Sequence, residues 1–127
     1  SDGGIAIPED GSVHPRYYGT FPRKIAHYAR GVGALSLEAA VRANSWLPAT
    51  IVGLRDRGQV REGFAADLVV FDLEELRDAA TFFQPHQHAE GIRHVLVNGT
   101  FVVEDGEILY TTPGLYLSSR RGGAPSS

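Results

Sequence analysis

Two residues near the start of the chain carry groups suited to proton transfer and to anion binding. Asp2 is a carboxylate followed at once by Gly3 and Gly4. A carboxylate can take up and release a proton, and adjacent glycines let a bound molecule come close to the backbone. The same "SDG" equally suits a turn or an Asx motif, in which the carboxylate accepts from nearby backbone N–H groups. Arg16 stands in "HPRYYGTFPR", where Pro15 stiffens the chain before it and Tyr17, Tyr18 and Phe21 offer apolar walls. A planar guanidinium so placed can grip a carboxylate through two parallel hydrogen bonds. The plainer reading is a surface arginine stacked on a tyrosine.

The histidines raise a metal question. His86 and His88 in "PHQH" have a spacing that puts both side chains on one face of a strand, where a pair can chelate zinc. A catalytic zinc takes about three protein ligands with supporting outer partners. The chain has no cysteine, and His14, His27 and His94 fall in unrelated elements. His86 and His88 are therefore read as capping loops through their ring nitrogens, and no metal ligand is assigned. Asp67 and Asp72 flank an apolar run and read as caps of its ends.

The elements that position these groups follow from periodicity and punctuation. Residues 1 to 21 show no period and read as an irregular loop, of a length at which structureless loops are usually functional or disordered. Pro22 then reads as the opening of a helix, with Ile25, Tyr28, Ala29 and Val32 recurring on one face and Gly31 and Gly33 closing it. Ser36 is the expected N-cap of a second helix with Leu37, Ala40 and Val41 on its apolar side and Glu38 in its positive first turn. Pro48 to Gly53 reads as a short third helix, with Ile51, Val52 and Leu54 packing inward. "ADLVVFD" reads as a buried strand, and Glu74 to Gly91 as a helical turn and loop. Asn98-Gly99 and Asp105-Gly106 are turn signals that fold the rest into an antiparallel meander, with a disordered tail over 118–127.

Composition bounds the function classes. With 127 residues the chain suits one compact domain with a workable core, and a net charge of -3 with mixed signs leaves no nucleic-acid footprint and no polybasic membrane anchor. The absence of cysteine removes disulfides and thiolate chemistry and fits a reducing compartment, so the expected location is cytoplasmic. No apolar run approaches the roughly 18 residues of a membrane span.

Residues 1 to 117 resemble, motif by motif, the C-terminal quarter of the N-acyl-D-amino-acid deacylases (D-aminoacylases) of the amidohydrolase superfamily. "LSLEAAVRANSWLPATIVGLRDRGQVREGFAADLVVFD" carries a pattern common to many amidohydrolases, whereas "HPRYYGTFPR" and "FFQPHQHAEGIRHVLVNG" are narrower and point to the deacylase branch. The resemblance implies an α+β piece: residues 1–53 as the end of a TIM-like metal-dependent barrel, and 54–117 as antiparallel strands of a small composite β-sandwich. It implies that Asp2 takes a proton from the metal-bound water and passes it to the leaving amine, and that Arg16 holds the α-carboxylate of an N-acyl-D-amino acid. The loop between them is longer than the family pattern by "IAIPEDGSV". The family's zinc ligands precede its "SDG", so zinc belongs to the whole enzyme and this chain alone is expected to be inactive. Its partners are then the small-molecule substrate and the rest of the barrel chain, with self-association through apolar surface the barrel would otherwise cover. The alternatives are a non-catalytic α+β interaction module, or the corresponding piece of a dihydroorotase- or hydantoinase-like amidohydrolase.

Overall fold

A proline at the start of a helix costs nothing, because the first N–H groups have no partner there in any case. That is how Pro15 is used: in the computed structural model, which describes residues 3–117, it is the N-cap of α1 (Arg16–Arg23). The irregular segment is thus shorter than its composition suggests, and it contains a 3-10 turn at Pro8–Asp10. Pro22, expected to open this helix, lies inside it. An interior proline removes one hydrogen bond and crowds the carbonyl four residues back. A π-helical segment follows over Lys24–Gly31 and ends with the Val32 N–H on the His27 carbonyl at 2.8 Å.

Ser36 caps α2 (Leu37–Asn44) as expected, its hydroxyl accepting from the Ala39 N–H at 3.1 Å. Glu38 sits in that positive first turn, where hydrogen bonding to its own backbone N–H and to Ser36 holds its carboxyl below the usual range. A short α3 (Trp46–Ile51) follows and stops before Gly53, which has φ 80°. Ile51 and Val52, expected to pack inward, are instead 74% and 54% exposed, because no element among the described residues covers that side of α3.

The second half is a four-stranded antiparallel meander, β1 (Leu68–Phe71), β2 (Ile92–Val97), β3 (Thr100–Glu104) and β4 (Glu107–Ile108), paired in chain order. Both turn signals hold: Asn98 and Gly99 have φ 49° and 78°, and Asp105 and Gly106 have 50° and 82°, the doubly positive pattern of a type I′ hairpin. Asp67 locks the first turn, accepting the Asn98 N–H at 2.8 Å and pairing with Arg57, which reaches the Asn98 side chain at 2.9 Å. Asp72 caps the other end of β1 by accepting from the Glu74 N–H at 2.9 Å. β1 itself is less buried than its run of apolar residues suggests, since it is an edge strand whose Val69 and Val70 are half-exposed.

Helices and sheet meet at Leu76, which is 1% exposed and packs with Ile25, Ala26, Ala40, Phe71 and Ile92. Its seat depends on Gly91, at φ 80°, where any Cβ would come within 2.5 Å of the Leu76 nitrogen. The layers do not close fully. A largely apolar cleft of about 580 Å³ remains between them, walled by Phe21, Ile25, Val41, Leu68, Val69 and Val95 among others.

Candidate functional site

Arg16 is the first residue of α1, so its side chain leaves the helix at the end where backbone N–H groups point outward. Its own N–H donates to His14 Nδ1 at 3.0 Å, which fixes the approach to the helix. The side chain is exposed and lines a cleft of about 740 Å³ with His14, Lys24, Tyr28, Phe82 and Phe83. The aromatic walls are therefore not those expected from the neighbouring sequence. Tyr17 turns back to cover Gly4, Tyr18 turns to His86, and Phe21 faces the cleft between helices and sheet. A helix sends successive side chains about 100° apart, so residues adjacent in "RYYGTF" cannot share one wall.

The far side of this cleft comes from the loop over residues 78–83, which is pinned to α1. Gly19 is buried against it so closely that an added Cβ would lie 2.9 Å from the Asp78 Cβ. Arg23 pairs with Asp78 at 3.0 Å and lies over the Tyr28 ring at 5.9 Å. The hydrogen bond to Asp78 raises the Arg23 guanidinium above its ordinary value, so Arg23 stays charged. His14 meets Phe82 edge-on at 5.1 Å. The result is a cationic rim with apolar, aromatic walls, a shape suited to a small molecule with one anionic end and one apolar end.

Asp2 lies outside the described residues. Its neighbour Gly3 packs on the start of α1, where an added Cβ would lie 3.4 Å from the Arg16 carbonyl oxygen. His86 and His88 do not form a chelating pair. His86 Nε2–H donates to the Gly11 carbonyl at 2.6 Å and Nδ1 faces the Tyr18 hydroxyl at 2.8 Å, the loop-capping role, while His88 lies edge-on to Tyr18 at 5.6 Å. Among the described residues no group of three or more His, Cys, Asp or Glu could hold a metal ion. Sequence reasoning missed Phe82, Phe83 and the Tyr18–His86 pair, because these contacts join segments about 70 positions apart and leave no local pattern.

Comparison with known proteins agrees with this architecture. The sequence profile described as "Amidohydrolase family" matches residues 2–103. A D-aminoacylase from Alcaligenes xylosoxydans xylosoxydans is 47% identical over 103 residues, which is 81% of this chain and 21% of that protein. A crystal structure of a D-aminoacylase superposes with a TM-score of 0.78 at 47% identity, covering 82% of this chain and 22% of the other. The N-acyl-D-glutamate deacylase of Bordetella bronchiseptica, solved with zinc and a phosphonate mimic of the tetrahedral intermediate, superposes with a TM-score of 0.72 at 37% identity, covering 82% and 23%. The chain thus spans about a fifth of the length of the relatives it matches. With a family match across most of its length, the chain belongs to the amidohydrolase family.

Proposed function

We propose that the chain is the C-terminal part of a zinc-dependent hydrolase that cleaves N-acyl-D-amino acids into a carboxylate and a free D-amino acid. The observation that carries the reading is the placement of Arg16: the arginine of the deacylase-like "HPR" motif opens a helix at the rim of a cleft with aromatic walls. Arg16 grips the substrate's α-carboxylate, and Phe82 and Phe83 supply apolar surface beside it. Asp2 is the general base and then the general acid, taking a proton from the attacking water and returning it to the leaving amine. The packing of Gly3 on the Arg16 backbone supports a short path between the two.

Among the described residues no group of three or more possible ligands stands together, and on this reading the zinc is held by the part of the enzyme that precedes Asp2. Residues 1–53 close the barrel and residues 54–117 contribute strands to a composite sandwich. The exposed Ile51, Val52 and Val69 are then surface that the rest of the barrel chain covers. The isolated chain is inactive on this reading. Assay of the full-length protein, loaded with zinc, against paired N-acetyl-D- and N-acetyl-L-amino acids tests it. Turnover confined to the D series supports the proposal, whereas equal use of both series, or turnover of cyclic amides only, refutes it.

A further inference from the structure

The ring of His14 is tied to the start of α1 by a hydrogen bond that also decides which of its nitrogens carries the proton. The Arg16 N–H is one of the first N–H groups of the helix, which have no partner inside it. It donates to His14 Nδ1 at 3.0 Å. A backbone amide can only donate, so Nδ1 offers a lone pair, the ring is neutral, and its proton sits on Nε2. His14 is bound to the helix a second time through its carbonyl, which accepts the Tyr17 N–H at 3.0 Å. Pro15 stiffens the one residue between the two anchored positions, and the ring meets Phe82 edge to face at 5.1 Å. The imidazole is thus held in the lining of the cleft that Arg16 also lines, and among the described residues nothing accepts a hydrogen bond from its Nε2–H. Capping alone does not call for an imidazole, since Asn, Asp and Ser accept such an N–H with shorter side chains and are the favoured residues at helix starts. What histidine adds is a directed donor on the far side of the ring.

We propose that His14 is a substrate-binding residue, donating Nε2–H to the same α-carboxylate that the Arg16 guanidinium grips. This inference rests on the role proposed for Arg16, and its test separates the two ideas. A carboxylate has about four lone-pair positions, and a two-pronged arginine takes two of them. The His14 donor fills a third without adding a charge to a cleft that already holds Arg16, Arg23 and Lys24. A cation fixes where the carboxylate sits, and a second, directed donor fixes how it is turned, which sets the direction in which the rest of the substrate leaves the site.

The experiment compares His14→Asn, His14→Gln and Arg16→Ala in the zinc-loaded full-length protein, with one N-acetyl-D-amino acid as substrate and hydrogen exchange at the Arg16 amide as the readout of the cap. Asparagine keeps an acceptor near the position of Nδ1 and has no donor at that of Nε2, whereas glutamine carries its amide N–H out to the Nε2 position and gives up the cap. His14→Asn should raise KM by about tenfold and leave the Arg16 amide protected. His14→Gln should keep KM within about threefold of the unmodified protein while the Arg16 amide exchanges about tenfold faster. A purely structural cap predicts the reverse order, with glutamine the more damaging change. A KM for His14→Asn no higher than that for His14→Gln therefore overturns the proposal, whatever the exchange shows. Arg16→Ala separates the two ideas: if it leaves KM unchanged, the role of Arg16 fails and that of His14 with it. If it raises KM while the asparagine variant does not exceed the glutamine one, only the role of His14 is overturned.

Discussion

Replacing Gly91 with alanine should unseat the contact on which both layers of the fold depend. Gly91 has φ 80°, and an added Cβ would lie 2.5 Å from the Leu76 nitrogen, 2.6 Å from the Glu75 carbonyl carbon and 2.7 Å from the Leu76 Cα. Those are backbone atoms, so no side chain can swing away to make room. The left-handed conformation alone costs a residue with a Cβ about 1 kcal/mol. Relief of the clash requires the chain around Leu76 to shift, and losing most of that side chain's burial adds roughly 2 kcal/mol. A total near 3 kcal/mol corresponds to about a hundredfold in the equilibrium for local opening. The Gly33→Ala variant is the control: φ there is 68° with nothing within 4 Å, so only the conformational cost of about 1 kcal/mol applies. Amide hydrogen exchange over Ile92–Val97 reports the result. Gly91→Ala should accelerate it by about two powers of ten, against roughly fivefold near position 33 for the control. Equal effects at the two sites would refute the claim that the close approach to Leu76, rather than the turn alone, requires glycine at position 91.

Two further outcomes follow from the fold. Partial burial pushes the Asp67 carboxyl up, but the hydrogen bond from the Asn98 N–H and the ion pair with Arg57 pull it further down, to a net value below its usual range. A carboxyl depressed by folding stabilises the hairpin fully above the ordinary carboxylate range, and that contribution is lost as pH falls through its lowered value. The Asn98 amide should therefore exchange faster in acid than base-catalysed exchange predicts, and Asp67→Asn should abolish that excess. Ser36→Ala removes the one side-chain cap of α2 and should destabilise that helix by about 1 kcal/mol, read as faster exchange at the Ala39 amide; an unchanged rate would show the cap to be dispensable.

Much of the scaffold is legible in the sequence where the signal is local. Ser36 as a cap and the two Asn/Asp-Gly turns need only a few consecutive residues to specify them, and each stands where its chemistry places it. Pro22 misleads for the opposite reason. A proline is read most easily as a helix start, but here Pro15 has already taken that role and Pro22 lies inside the helix. The over-estimated burial of Ile51, Val52 and β1 has a related cause, since apolar runs report what a chain covers somewhere and not which of its own elements does the covering. At the site, the "HPR" motif leads to Arg16. The walls around it come from Phe82 and Phe83, which reach it through tertiary contacts that no local spacing encodes.

The central claim is that this chain contributes the proton-transferring carboxylate of a D-amino-acid deacylase, and steady-state kinetics of Asp2→Asn in the zinc-loaded full-length protein test it most directly. The substitution keeps the shape of the side chain and removes its basicity. With an N-acetyl-D-amino acid as substrate, kcat should fall by about two to four powers of ten while KM changes by less than about threefold. Turnover close to that of the unmodified protein would contradict the account and leave "SDG" as a turn.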